Sequence, residues 1–225
     1  SMHLIDRSVG FEGSTAIVGN TIPIGVGLAL SLKLDSKNSI SVVYCGDGSV
    51  EEGVFYESVN FAIVKKLPVL FVCENNLFSV YSSLASRQPI NRRIHEMVAA
   101  MGIYTDHADG NEVETVNDVT AKALAHIRDQ QGPAFLEFST YRWREHCGPN
   151  YDDDLGYREP QEVESWLLRD PVACYRKRVI DNSEDAVSII DMIEKEVNKE
   201  VSLAFEFAEK SPFPPKSIVH DRVYA

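Results

Sequence analysis

Two short apolar runs separated by a helical pattern dominate the first third of the chain. Residues 40–45 and 69–74 are rich in β-branched and aromatic side chains, which is typical of short buried strands. Between them, apolar residues recur at helical spacing over residues 51–66, and Pro68 ends that pattern. A strand, a helix and a strand of this length predict a right-handed crossover that places both strands parallel in one sheet.

The same patterns extend along the rest of the chain and alternate between helix and strand. We expect a helix over 20–33, a short helix containing His95, Met97 and Val98, a strand over 102–107, a helix over 117–131, a strand over 134–139, helices after Pro160 and Pro171, and a long helix over 183–210. This alternation predicts an α/β fold with a mainly parallel sheet flanked by helices. We expect a single domain over 1–225, with a C-terminal helical extension from about residue 160.

Composition limits the classes of function. The 225 residues are 44% hydrophobic and 25% charged, as in ordinary globular proteins, and no apolar run approaches the length of a membrane span. A net charge of −12 argues against nucleic acid or an anionic membrane as a partner. The four cysteines show no paired C-x-x-C spacing, and Cys45 and Cys73 fall in the predicted strands. Reduced core thiols in a cytoplasmic protein are the expectation.

Polar residues stand where two of the predicted strands end. Gly46-Asp47-Gly48 follows the first strand and Asn75-Asn76 follows the second. Parallel strands carry their carboxyl ends to one edge of the sheet, where α/β proteins bind ligands. Carboxylate and amide oxygens suit Mg2+, and glycines let a diphosphate approach the backbone. The sequence therefore predicts a Mg2+-diphosphate site, although an ordinary βα turn remains open and Asn75 favours a turn-capping role.

These residues carry a family resemblance. The segment from Gly46 to Asn76 begins GDG and ends NN, and it resembles the thiamine diphosphate motif. The wider chain resembles the α subunit of the 2-oxo acid dehydrogenase E1 component. The matching segments are Met2-His3, AIVG at 16–19, IPIGVGLA at 22–29, TYRWR at 140–144 with His146, GYR at 156–158, RDP at 169–171 and SPFP at 211–214. The resemblance implies a three-layer thiamine diphosphate-binding fold.

The resemblance also implies cofactor-binding residues at the end of the first strand. Asp47 and Asn76 would bind Mg2+ through their side chains, and Phe78 would bind it through its backbone carbonyl. Gly48 and Ser49 would offer backbone amides to the diphosphate of thiamine diphosphate. Together these five residues form the predicted metal and diphosphate site.

Other implied contacts lie further along the chain. Backbone groups at Ala16 and Val18 would contact the pyrimidine ring of the cofactor. His146, in the loop after the strand at 134–139, would bind the cofactor and act in catalysis. Animal members of the pyruvate branch have a phosphorylatable serine directly after this histidine, and Cys147 stands there in this sequence.

The implied activity is oxidative decarboxylation of a 2-oxo acid, with transfer of the acyl group to a lipoyl carrier. In the family, a β subunit donates the glutamate that activates the cofactor, so we expect inactivity alone, an α2β2 heterotetramer, and a lipoyl-bearing E2 as a further partner. The substrate stays open among pyruvate, branched-chain 2-oxo acids and acetoin. The alternative is a non-catalytic Mg2+-diphosphate-binding or subunit-docking domain that is inactive without a partner chain.

One family feature is not found in the sequence. The resemblance implies a long segment before the Met-His match, with a Tyr-Arg pair that helps to hold the diphosphate. Truncation, loss of the segment and supply by another polypeptide all remain open. We expect an incomplete pocket in this chain.

Two further groups of polar residues are assigned no chemistry. The acidic run at 152–154 fails as an EF-hand, because its fifth residue is Gly156 and its twelfth is Val163. We expect a mobile, solvated loop there that orders when the cofactor binds. His95, His107 and His126 are expected to be isolated structural or surface residues.

Overall fold

The computed structural model describes residues 3–183 and 185–218, so Met2 of the Met-His match lies outside the described part. The chain divides into two compact units, with the boundary between Pro171 and Val172. The prediction of one domain with a helical extension stays a prediction. Within the described ranges, no helix has both the length and the apolar character needed to cross a membrane.

The first unit is built on a four-stranded sheet in which every pairing is parallel. Six strands are present in the described residues: β1 Ser41–Gly46, β2 Val69–Asn75, β3 Phe78–Ser79, β4 Ser82–Ser83, β5 Tyr104–Asp109 and β6 Ala134–Ser139. The main sheet has the order β1-β2-β6-β5, while β3 and β4 form a small antiparallel hairpin. The prediction that β1 and β2 lie parallel in one sheet is confirmed.

Apart from α3 (Leu84–Arg87), which was not predicted, the helices agree with the predicted ones in place and type, with shifts at their ends. They are α1 Thr21–Leu34, α2 Gly53–Val64, α3 Leu84–Arg87, α4 Ile94–Ala99, α5 Val113–Arg128, α6 Pro160–Leu167, α7 Pro171–Asn182 and α8 Ala186–Lys210. The largest shift is in α5, which begins four residues before the predicted start because Val116 extends its apolar face. Gln130, in a left-handed conformation, lies just beyond its end.

Helices cover both faces of the sheet and produce three layers. On one face, α1, α2 and α4 enclose the larger core with β1 and β2. On the other face, α5 packs Val119, Ala123 and Ile127 against Leu70 and Leu136. A parallel sheet needs helices on both faces to bury its apolar side chains. The predicted α/β fold with a parallel sheet flanked by helices is confirmed.

The prediction that β1 is a buried strand holds for only one of its faces. Its burial alternates, with Val43 and Cys45 buried, whereas Tyr44 is 63% exposed. In contrast, nearly all of β2 is buried. The physical reason is position, since β1 is the edge strand and α5 covers only the far part of that face.

The two strand cysteines behave as core thiols, as expected. Cys45 and Cys73 lie opposite each other in the β1–β2 register, and both are free and buried. The neighbouring Cys45 thiol and burial raise the pKa of Cys73 well above its usual value. Cys73 is therefore a protonated packing residue rather than a nucleophile.

Candidate functional site

The ends of β1 and β2 bring the predicted metal ligands to one edge of the sheet. Gly46, the last residue of β1, is in register with Glu74, so Asp47 and Asn75 lie at the same level of neighbouring strands. Asp47 then opens a short 3-10 turn, Asp47–Glu51, which contacts both β2 and β3. The helical pattern predicted from residue 51 is interrupted, because Glu52 is extended before α2 begins.

Asp47 is a buried carboxylate with a single charged partner among the residues that the structure describes. It is 1% exposed, and its Oδ2 forms an ion pair with Nη2 of Arg87, at the end of α3. The other guanidinium nitrogen of Arg87 pairs with Glu51. Gln88 Nε2 also donates to Glu51 Oε1 at 2.8 Å. A buried carboxylate without a counter-charge is strongly unfavourable, so Arg87 neutralises Asp47 in this structure.

The two asparagines after β2 form consecutive side-chain turns. Asn75 Oδ1 accepts from the Leu77 amide at 3.1 Å, and Asn76 Oδ1 accepts from the Phe78 amide at 3.0 Å. The capping role predicted for Asn75 is confirmed. These turns direct the chain at once into the β3–β4 hairpin, whose strand β3 contacts the Asp47–Glu51 turn.

Gly48 is required by close packing. A Cβ atom placed there would lie 2.8 Å from Ser79 Oγ and 3.6 Å from Arg87 Nη1. The β3–β4 hairpin and α3 therefore lie directly over the glycine whose backbone is predicted to meet the diphosphate.

The donor set at this edge fits Mg2+. Asp47, Asn76 and Phe78 offer a carboxylate, an amide oxygen and a carbonyl, which are hard donors, and Mg2+ uses few protein ligands together with phosphate oxygens. In the described ranges, no group of three or more His, Cys, Asp or Glu residues could bind a metal. A metal at this edge would therefore depend on the amide and carbonyl oxygens as well as on Asp47.

The segment before α1 also reaches this edge. A Cβ atom at Gly19 would lie 3.1 Å from Cγ of Glu52, next to the start of α2. Val18 is 52% exposed, and the Ala16 amide donates to His3 Nε2 at 3.3 Å. The roles of Ala16 and Val18 toward a pyrimidine ring stay predictions.

His146 lies in an ordered loop after β6. Its side chain is exposed, and no hydrogen bond or ion pair joins it to any residue in the described part of the chain. The loop itself packs on the β3–β4 hairpin, because Arg142 Nη2 donates to the Val80 carbonyl at 2.9 Å and the Tyr157 ring packs edge-on against Phe78. The loop that carries His146 and the turn that carries Phe78 therefore form one packed assembly.

The prediction of a solvated acidic loop is wrong for Asp152. Asp152 is 3% exposed and pairs with Arg158, while Tyr157 Oη donates to its Oδ2 at 2.7 Å. Arg142 Nη1 lies 3.6 Å from the same carboxylate. Burial alone would raise the pKa of Asp152, but the Tyr157 hydrogen bond and both guanidinium groups outweigh it and lower that pKa. Charge pairing, not calcium or solvent, stabilises the loop.

A second polar cluster was missed from the sequence. Glu137, buried in β6, accepts from Asn75 Nδ2 at 2.7 Å and from the His95 amide at 2.8 Å, and it also contacts His95 Nδ1 at 2.8 Å. His95 stacks on His107 with ring centroids 4.6 Å apart. The expectation that these histidines are isolated is wrong. The available signal was a lone glutamate within the apolar run of β6.

Comparisons with known proteins agree with this arrangement. The profile of the dehydrogenase E1 component family matches residues 1–217. A pyruvate dehydrogenase E1 component subunit alpha from Rickettsia conorii is 36% identical over 224 residues, covering 100% of this chain and 68% of the relative. A chloroplastic pyruvate dehydrogenase E1 component subunit alpha-3 from Oryza sativa is 32% identical, covering 100% of this chain and 54% of the relative.

Structural similarity is weaker than sequence similarity. A solved structure described as that of a thiamin diphosphate-dependent enzyme from Mycobacterium smegmatis covers 59% of this chain and 24% of its own, with 22% identity and a TM-score of 0.45. A likeness at this level carries no argument. The family match over nearly the whole chain, with the ordered motifs at one sheet edge, confirms the resemblance seen in the sequence. The chain belongs to the dehydrogenase E1 component family.

Proposed function

We propose that this chain is the α subunit of a thiamine diphosphate-dependent 2-oxo acid dehydrogenase E1, which decarboxylates a 2-oxo acid oxidatively and passes the acyl group to a lipoyl carrier. The observation that carries the proposal is the placement of Asp47 and Asn76 at one sheet edge in a chain of the E1 family. The names of the relatives make pyruvate the first substrate to test.

Different residues at this edge would bind different parts of the cofactor. Asp47, Asn76 and the Phe78 carbonyl hold Mg2+, and the backbone amides of Gly48 and Ser49 hold the diphosphate. When bound, thiamine diphosphate supplies a nucleophilic carbon and an electron sink for decarboxylation. Because the turn is rigidly packed against β2 and β3, these residues bind and orient the cofactor rather than move protons.

Two contacts lie outside the metal and diphosphate edge. Backbone groups at Ala16 and Val18 contact the pyrimidine ring. His146 is the proposed catalytic residue, since its imidazole is exposed and has no hydrogen-bond partner among the described residues, so both ring nitrogens are accessible to a substrate.

The partners follow from the same proposal. A β subunit completes the active site in an α2β2 heterotetramer, a lipoyl-bearing E2 accepts the acyl group, and the chain is inactive alone. The net charge of −12 supports the absence of a nucleic-acid partner. A cytoplasmic location is supported by the free buried thiols of Cys45 and Cys73.

Coexpression with the protein encoded by the adjacent reading frame, as a candidate β subunit, tests the function. We expect reduction of an artificial electron acceptor that depends on a 2-oxo acid, on Mg2+ and on thiamine diphosphate. His146→Gln is expected to lower the rate at least about 100-fold while cofactor binding is kept. His126→Gln is the matched control and retains the rate.

Calorimetry separates the proposal from its alternative, a non-catalytic binding or docking domain. Bound cofactor without turnover of pyruvate, branched-chain 2-oxo acids or acetoin would sink the proposed activity. The family match over residues 1–217 does not favour that alternative.

A further inference from the structure

Arg87 places its positive charge between two carboxylates of the Asp47–Glu51 turn. Its two terminal nitrogens bridge Asp47 and Glu51, and its side chain is only 13% exposed. It comes from α3, whereas both carboxylates belong to the Asp47–Glu51 turn, so the contact joins residues 40 positions apart. The guanidinium supplies the positive charge that a buried Asp47 requires.

The same guanidinium lies over Gly48. Arg87 Nη1 is 3.6 Å, and Ser79 Oγ 2.8 Å, from the place where a Cβ of Gly48 would be. Backbone exposed by the lack of a side chain is where a diphosphate would approach. Arg87 therefore stands against the metal-binding carboxylate and over the diphosphate-binding glycine at once.

The segment that carries Arg87 has few main-chain ties to the sheet. The β3–β4 hairpin contains two residue pairs, and α3 has four residues, with Ser83 Oγ accepting from the Ser86 amide at 3.3 Å as its cap. Leu77 and Val80 have left-handed backbone conformations, which are strained for these residue types. Leu84 packs against the core and Phe78 packs against Tyr157, so the release of Asp47 requires movement of Arg87 rather than of the whole segment.

We propose that Arg87 is an internal counter-cation that competes with Mg2+ for Asp47, so that the metal-diphosphate binds only after Arg87 releases the carboxylate. This inference rests on the proposed function, because it takes Asp47 as the metal ligand. When a competing state is favoured, the apparent affinity falls by the fraction of molecules that can bind. Arg87 thus sets how much free metal the site requires.

A titration with Mn2+ alone tests the competition. Mn2+ is added to the full chain without thiamine diphosphate, and the electron paramagnetic resonance signal measures the concentration of free Mn2+. Arg87→Met is expected to bind Mn2+ about 10-fold more tightly than the unaltered chain. Arg93→Met, which removes the same charge from an exposed ion pair with Glu96, is expected to leave the affinity unchanged.

A second variant covers the case in which Arg87→Met does not fold. Arg87→Lys keeps one positive charge but cannot bridge two carboxylates, so we expect Mn2+ binding about threefold tighter, with an unchanged melting temperature. Asp47→Asn in either background should abolish Mn2+ binding.

The outcomes separate this inference from the function on which it rests. Equal or weaker Mn2+ binding by the folded Arg87 variants, or no Mn2+ binding by any chain, would overturn the competition and make Arg87 a support for the metal ligand. Calorimetry of thiamine diphosphate with saturating Mg2+ is the separate arm, and it uses the coexpressed α2β2 assembly because the β subunit completes the active site. Absence of cofactor binding there refutes the proposed function, while the Mn2+ result still decides the role of Arg87.

Discussion

Two buried aspartates are neutralised by arginine in this molecule, and they differ in how completely their partners saturate them. Asp152 has Arg158, Arg142 and the Tyr157 hydroxyl around it, within a loop whose elements pack on one another. Within the described part of the chain, Asp47 has only Arg87, which it shares with Glu51. A carboxylate with every oxygen engaged stabilises structure, whereas one with a single displaceable partner can bind a ligand. The difference in saturation, not in burial, distinguishes the two aspartates.

The largest effect is expected from Asp47→Asn. Loss of the carboxylate removes the charged metal ligand, so binding of thiamine diphosphate with Mg2+ should weaken by about a thousandfold, measured by calorimetry. Asp152→Asn is the matched control and should bind the cofactor within about threefold of the unaltered chain. Equal losses in both variants would contradict the distinction between the two aspartates.

The arginine partners should respond differently to metal. Arg87→Met and Arg158→Met each leave a buried carboxylate without its main partner, at a cost of about 3 kcal/mol in urea unfolding. Saturating Mg2+ should restore much of the stability of Arg87→Met, because a cation replaces the guanidinium at Asp47. Arg158→Met should gain nothing from Mg2+. Recovery of both variants, or of neither, would refute the comparison.

A smaller effect is expected at Gly48. Gly48→Ala forces Ser79 to move and should cost about 1 kcal/mol of stability while weakening diphosphate binding. Adding Ser79→Gly to the Gly48→Ala variant should restore both stability and diphosphate binding. Gly53→Ala is the control, since no atom lies within 4 Å of its Cβ position, and it should be neutral or slightly stabilising. A loss at Gly53 as large as that at Gly48 would contradict this account.

The smallest effect is the dependence of stability on pH. The folded state lowers the pKa of Asp152 below its ordinary value of 3.8. At a pH between the folded pKa and the unfolded pKa, the unfolded chain therefore binds more protons than the folded chain. The contribution of Asp152 is therefore complete above about pH 4 and declines as the pH falls through the lower, folded value. In urea unfolding, the stability gap between the unaltered chain and Asp152→Asn should shrink only at acid pH. A gap that narrows between pH 7 and 5 would contradict this assignment.

Local patterns predicted much of the first unit. The apolar runs of β1 and β2 and the helical spacing of α2 led to the parallel crossover, and the crossover led to the shared edge of Asp47 and Asn75. The burial of β1 could not be predicted in this way. Its residues are as apolar as those of β2, but burial depends on which strand stands at the edge, and neighbours in space decide that.

Partnerships between distant residues were not predictable in the same way. In the sequence, nothing distinguishes Arg87 from the other arginines. Glu137 and His95 are 42 positions apart, so their contact could not be predicted from local spacing. Even the pairing of Asp152 with Arg158, six positions away, was missed, and Asp152 was predicted to be solvated because a loop without periodicity carries no signal of its burial.

By itself the sequence determined the four strands of the main sheet, the crossover, the family and the chemical types of the residues at the sheet edge, because side-chain periodicity and motif spacing are local properties of the chain. Only the tertiary structure decided that Arg87 neutralises Asp47, that Arg158 and Arg142 saturate Asp152, and that the His146 loop packs on the hairpin carrying Phe78. The physical reason is that charge pairing inside a protein depends on burial and distance, which arise only when segments far apart along the chain pack together.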